Sequence, residues 1–264
     1  MNHFGIKALV LACAAAVLFL VCFGIAKGTS LDNADSSTAY NLSAWLAKNN
    51  ITIDRRLIDT DAQTVRAATL KSTVSDRKKT AEAMLGSAED AGADTYTGQN
   101  GTVVFAKDTF TMTAAKGAFG KSVSGIDRYN SGKKAEEIAK AIGFDLSGSV
   151  ISTDEDGGIF TAYITKTIDA KPVFDDCITL TADKDGLISA SGVWYVPEDG
   201  IGNERRAKPA ADALAELLER LGGEKAAVSS MTLGYRMKHS GNITEIVPVW
   251  RFEIEDRDDI YIEA

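Results

Sequence analysis

The pattern of hydrophobic and polar positions changes character after residue 26. From Ala8 to Ala26 no residue carries a charge, and at about 1.5 Å per helical residue such a run covers roughly the 30 Å core of a bilayer. The pattern predicts one membrane-spanning helix. Lys7 precedes it and Lys27 follows it, while the first acidic residues are Asp32 and Asp35, a bias that favours a cytoplasmic N-terminus. A cleaved signal peptide is the competing reading, because Gly24-Ile25-Ala26 has the small-x-small form of a cleavage site. The run exceeds the ~7–15 residues of an h-region, which favours an anchor.

Beyond a polar linker from Gly28 to Ser37, Ala39, Leu42, Trp45 and Leu46 fall at helical spacing and Asn49-Asn50 closes the segment. Ile51 and Ile53 read as a strand that leaves through Leu57-Ile58, and a polar helical stretch is expected after it. A further helix is predicted over Asp76–Leu85, capped by Ser75 and stopped by Gly86. Ser87 to Thr95 reads as a loop. Strands follow at Val103–Phe105 and Phe110–Thr113, with Asn100-Gly101 as a hairpin turn before the first.

The C-terminal half has the form of a degenerate repeat, one helix and then antiparallel strands. Ala135, Ile138, Ala139 and Ile142 share a face of the first helix, which ends at Gly143; Leu214, Leu217, Leu218 and Leu221 share a face of the second. Pro209 starts that second helix and Gly222-Gly223 ends it. Strands are predicted at Ile159–Ile168, Val173–Ala182 and Leu187–Val196, and again at Met231–Lys238, Ile246–Glu255 and Ile260–Glu263. Trp250, Phe252 and Ile254 alternate with Arg251, Glu253 and Glu255, which buries one face and wets the other. The expected class is α+β: an N-terminal transmembrane helix followed by extracytoplasmic helix-on-antiparallel-sheet subdomains. The boundaries read as an anchor at 1–27, a membrane-proximal subdomain at 28–130, and a C-terminal region at 131–264 made of units 131–199 and 200–264.

Charge narrows the partners. All 37 acidic side chains lie beyond residue 27, together with 27 of the 29 basic ones, a net charge of −10 for the exported part. That surface argues against nucleic acid. Of the three cysteines only Cys177 lies there, so no intramolecular disulfide forms, and Cys13 and Cys22 lack the setting of a lipid-attachment site.

Candidate chemistry is sparse. The histidines are His3, ahead of the membrane helix, and His239, in an expected hairpin turn, so the commonest general base is nearly absent. Asp154-Glu155-Asp156-Gly157 and Asp183-Lys184-Asp185-Gly186 begin like calcium loops but lack the distal ligands, and Asp-Gly is itself a turn signal. The pairs Asp175-Asp176 and Asp258-Asp259 read as solvated edges, and Cys177 as a small core residue. No catalytic, cofactor-binding or metal-binding residues are expected, and no cofactor. In the membrane helix Ala8, Ala12 and Ala16 recur every four residues, the small-residue ridge along which two helices approach closely; this is the candidate partner-binding face.

Several short stretches carry a resemblance: Leu46-Ala47-Lys48-Asn49-Asn50-Ile51-Thr52-Ile53, Leu233-Gly234-Tyr235, Val247-Pro248-Val249-Trp250-Arg251-Phe252, and the terminal Ile260-Tyr261-Ile262-Glu263-Ala264. With a single anchor and helix-plus-sheet units, the chain resembles the YycI/YycH-type accessory regulators of the WalK-type sensor histidine kinase, and more loosely PepSY-like units. The resemblance implies a non-enzymatic regulatory protein of the cell membrane. It would be single-pass with most of the chain outside, and would act in a two-component system that governs cell-wall metabolism. The partners implied are the sensor kinase and a paralogous accessory regulator. Two other classes stay open, a PepSY-type extracytoplasmic ligand-binding or peptidase-inhibitory module and a hydrolase with an unrecognised carboxylate site. A ligand module should show a concave apolar pocket with a few convergent polar groups. A hydrolase should show paired carboxylates with perturbed pKa values.

Overall fold

The computed structural model describes residues 31–119, 124–198, 200–241 and 243–264, with side chains from Ser37 onward. The predicted membrane helix, with Ala8, Ala12 and Ala16, lies outside these residues. Among the described residues no helix is long and apolar enough to cross a membrane.

In chain order, helix α1 (Leu31–Lys48) leads into strand β1 (Ile51–Ile53), a 3-10 turn at Arg55–Leu57, and strands β2 (Thr64–Arg66) and β3 (Thr69–Ser72). A second 3-10 turn at Thr73–Ser75 enters helix α2 (Arg77–Leu85), followed by β4 (Glu89–Gly92), β5 (Thr95–Gly98), β6 (Gly101–Ala106) and β7 (Thr109–Ala114). Then come helix α3 (Ser131–Ala141), β8 (Ser149–Asp156), β9 (Ile159–Ile168), β10 (Lys171–Asp183), β11 (Gly186–Gly192), β12 (Tyr195–Pro197) and β13 (Glu204–Arg206). Helix α4 (Ala210–Leu221) and strands β14 (Ala226–Ser240), β15 (Ile243–Ile254) and β16 (Ile260–Glu263) complete the chain. The class is α+β, with helices on a large antiparallel sheet.

Two units divide the described residues. One holds the chain up to Ala62 with Pro209–Met231 and Phe252–Ile260; the other holds Gln63–Lys208, Thr232–Arg251 and Tyr261–Ala264. The expected boundaries at 130 and 199 both fall inside the second unit. In the first, β1 runs parallel to the start of β14, from Ile51 beside Ala226 to Ile53 beside Val228. Pro209 presets the entry to α4, whose Ala213, Leu214 and Leu217 are fully buried. Gly222 closes that helix at φ 58°, a left-handed conformation that glycine takes without strain.

In the second unit eight strands form an antiparallel run in the order β8-β9-β10-β11-β7-β6-β5-β4. The inward positions follow period two: Phe160, Ala162 and Ile164 of β9, Ile178 and Leu180 of β10, Phe110 and Met112 of β7, Val103 and Phe105 of β6. These pack with Ala81, Met84 and Leu85 of α2 and Ala135, Ile138 and Ala139 of α3 in one core cluster. Each of the larger side chains among these, valine, leucine, isoleucine, methionine or phenylalanine, contributes on the order of 1.5–3 kcal/mol by leaving water.

Strand β10 changes partners along its length. Cys177 to Ala182 pair with β9, but the register shifts between Pro172 and Cys177, and within that interval Val173 pairs in parallel with Tyr235 of β14. The bulge is what lets one strand serve two sets of neighbours. Beyond β14 the order continues through β15 and β3 to β12.

Several sequence expectations are corrected here. The stretch after Ile58 contains the strands β2 and β3: Val65 is the buried centre of β2, and Leu70 and Ser72 are buried at alternate positions of β3, the period of a strand and not of a helix. The cap of α2 is Asp76, whose carboxylate accepts from the Lys79 amide, and Ser75 belongs to the preceding 3-10 turn. Residues 31–37 are helical rather than a linker, and β4 occupies part of the expected loop. Strand β8 was not expected, and the run Leu187–Val196 breaks after Gly192 into two strands.

Candidate functional site

The second unit holds a cleft of about 540 Å³ between the first turns of α2, the residues just after α3, and the segment from Trp194 to Val196. Its floor is apolar, made of Ile142, Phe144 and Trp194. Its rim carries Lys71, Lys79, Asp76 and Asp145 with the hydroxyls of Ser72, Thr73 and Thr80. A concave apolar floor ringed by a few polar groups is the general form of a small-molecule site.

Backbone and hydroxyl bonds fix the walls. Thr73 donates to the Trp194 carbonyl from both its amide and its hydroxyl at 2.9 Å, tying the 3-10 turn to the floor. Thr80 donates from its hydroxyl to the carbonyls of Thr73 at 3.0 Å and Asp76 at 2.9 Å, so the helix start is tied to the same turn. Asp145 accepts from the amide and the hydroxyl of Ser147, each at 2.9 Å, and these bonds hold its carboxyl below the usual carboxylate range.

The floor is an aromatic stack. Phe144 lies 5.2 Å from Phe110 in a stacked arrangement and meets Trp194 edge-on at 6.0 Å. Trp194 is 1% exposed, and its indole N–H has no hydrogen-bond partner among the described residues. Lys166, itself buried, holds its ammonium 5.2 Å from the Trp194 ring centre and donates to the Ser147 carbonyl at 2.8 Å.

Directly after the tryptophan, the Tyr195 amide donates to both oxygens of Asp176 at 3.1 and 3.2 Å. Asp176 is fully buried. Burial pushes its carboxyl up to about 7, against the pull of the Tyr195 amide and of Lys166, while Asp175 adds to the rise. The pair Asp175-Asp176 is therefore not a solvated edge. Its members differ in burial: only Asp175 reaches the surface, where it binds Arg236 in a fork and accepts from the Met237 amide at 2.8 Å. Asp176 occupies the bulge of β10, and no sequence signal marks the bulge. The chemistry open to Asp176 is the gain and loss of a proton inside the protein, because no surface of it is left for a substrate.

The other sequence candidates separate. Asp154–Asp156 are the paired end of β8 and only Gly157 enters the β8–β9 turn, whereas Asp183–Gly186 forms the β10–β11 turn, where Asp183 accepts from the amides of Asp185 at 2.8 Å and Gly186 at 3.1 Å. Among the described residues no group of three or more histidine, cysteine or acidic side chains is placed to hold a metal ion. His239 lies in β14 rather than in a turn, with Nδ1 3.0 Å from the Thr244 hydroxyl. Cys177 is half-buried rather than core, with its thiol raised by burial. A larger depression, about 710 Å³, lies in the first unit beside Tyr40, Arg55, Arg56, Asp59 and Asp61. Arg56 there is already paired with Asp54, whose carboxyl that contact lowers to about 2.

Comparison with known proteins bears on the fold. No family model matches the chain, and no curated protein matches it. Among solved structures, an uncharacterized protein from Eubacterium rectale ATCC 33656 aligns over 76% of this chain and 82% of its own, with a TM-score of 0.50 and 11% identity. YycH from Bacillus subtilis aligns over 77% of this chain with a TM-score of 0.50 and 12% identity. The fold resembles that of YycH. The chain spans about half of YycH, 53% of its length. The C-terminal domain of YpeB from Bacillus megaterium aligns over 74% of this chain and 94% of its own, at 13% identity and a TM-score of 0.35, too low to argue from.

Proposed function

We propose that this chain is a non-enzymatic, membrane-anchored extracytoplasmic regulator that associates with a sensor histidine kinase controlling cell-wall metabolism. The observation that carries the reading is the YycH-like fold across three quarters of the chain. It is supported by the uncharged run from Ala8 to Ala26 at the head of an otherwise acidic chain. It is also supported by the state of Asp176, whose perturbed carboxyl is sealed in the core. In this reading the kinase is met through the membrane helix, along Ala8, Ala12 and Ala16, and through the exported domain. The test is to purify the full chain from its native membranes in a mild detergent and identify retained proteins by mass. A histidine kinase held in comparable amount is expected; its absence at several detergent strengths would remove the proposal.

A second reading is favoured by the cleft over Trp194, namely a ligand-binding module that reports on a small molecule. Native mass spectrometry of the protein isolated from its host tests it. A bare polypeptide mass at several ionisation energies would count against it.

A further inference from the structure

The eight-stranded run presents its second face to solvent, and that face is nearly free of charge. Antiparallel pairing places Tyr163, Thr179, Ser191, Thr111, Val104 and Thr95 in one row across six strands. Two residues along, Thr161, Thr181, Ser189, Thr113, Thr102 and Thr97 form a second row. All twelve are half-buried or exposed, while the helices α2 and α3 pack with the inward residues of the opposite face.

A solvated sheet face normally carries lysine, arginine and glutamate between its hydroxyls, and this chain has those residues in abundance elsewhere. Here acidic groups stand only around the margin, with Asp154 and Asp156 on β8, Asp183 at the end of β10, and Glu89 on β4. Four exposed large apolar side chains are spread over the same face: Val104 on β6, Tyr163 and Ile159 on β9 and Val150 on β8, which are 43, 44, 39 and 58% exposed. Depletion of charge at the centre with a charged margin is the compositional mark of a protein–protein contact.

We infer that this face is the contact between two copies of the chain. Two identical sheets carry the same twist, so their faces pack in the aligned arrangement without either one reshaping. The six strands of the uncharged face, each about 4.8 Å wide, span roughly 30 Å, and the outward positions run about 20 Å along them, which gives roughly 600 Å² per copy and about 1,200 Å² in all. That is the lower end of a specific interface. The margins of the two copies carry like charge, so the contact strengthens as salt screens them. No kinase is needed for it.

The experiment is sedimentation of the full chain in mild detergent over a range of protein concentrations, at about 50 mM and about 500 mM salt. A monomer–dimer equilibrium that tightens with salt is expected. Thr179→Lys and Thr111→Lys, which place a cation at the centre of the face, should each weaken it at least about tenfold, with far-UV circular dichroism and urea midpoint near those of the parent. Ala12→Leu separates this contact from pairing of the membrane helices and should leave the equilibrium unchanged. A chain that stays monomeric, a dimer lost with Ala12→Leu but kept with both lysine variants, or one that weakens with salt would each overturn the inference.

Discussion

Asp176 ties folding stability to pH in a direction opposite to most carboxylates. Its carboxyl shifts from an ordinary 3.8 to about 7 because it is buried. Between those values the unfolded chain has released this proton and the folded chain still holds it, so the folded state binds more protons and loses stability as pH rises. Below about pH 4 both states are protonated and the cost is absent; above about pH 7 both are ionised and the cost is complete. Spread over that interval the shift amounts to roughly 4 kcal/mol. The perturbation is Asp176→Asn, which keeps an oxygen to accept from the Tyr195 amide but cannot ionise. Its new amide N–H groups are another matter, since Lys166 offers no acceptor and an orphaned donor costs about 1–3 kcal/mol at every pH. The reasoning therefore rests on the slope. Urea denaturation of parent and variant should give a stability difference that moves in the variant's favour by several kcal/mol from pH 4 to pH 8. Other titrating groups, such as Asp145 and Glu136 with their lowered values, are common to both proteins and cancel. A difference that stays flat across that range would refute a buried, proton-holding Asp176.

Three smaller changes test the packing around the sheet. Gly192→Ala should cost about 3 kcal/mol or more in urea unfolding, because at φ 145° an added Cβ would lie 2.1 Å from the Cys177 carbonyl oxygen. Trp250→Phe removes the indole N–H that donates to the Lys208 carbonyl at 2.9 Å in a buried setting; a loss of about 1–3 kcal/mol is expected with an unchanged circular dichroism spectrum. Asp175→Ala takes away both the half-exposed Arg236 fork and the acceptor of the Met237 amide, so its melting midpoint should fall by more than loss of a surface ion pair alone, worth about 0–1 kcal/mol, would cause.

Those elements whose residues obey one strong period were legible in the sequence. Helix α4 shows its leucine stripe, its proline and its glycine pair, and the structure starts and stops it at those marks. Strand β9 and the alternation of Trp250, Phe252 and Ile254 were equally plain. Short edge pieces were not. Strand β4 is exposed at all four positions, so no burial pattern distinguishes it from a loop, and β2 and β3 are too brief for period two to stand out among polar residues. Strand β8 has its apolar residues only at Val150 and Ile151 and is acidic from Asp154 onward, which reads as a turn.

The site was less legible than the fold, for a physical reason that β10 makes specific. An aspartate in sequence is presumed wet because burial of an unpaired carboxylate is costly, and only a neutral form or a local partner makes it tolerable. Which of the two neighbours, Asp175 or Asp176, pays that penalty depends on the bulge, since a shift of one residue exchanges the inward and outward sets. The bulge in turn exists because β10 pairs with β9 on one stretch and with β14 on another, a pairing between residues 173 and 235 that no local window contains. The Trp194 floor has the same character: Phe110, Phe144, Lys166 and Trp194 come from four separate segments, and each alone reads as ordinary core or surface. The open face differs. Its threonine and serine positions alternate visibly along each strand, so the strands could be found from them, but their union into one uncharged surface required the register of six strands at once.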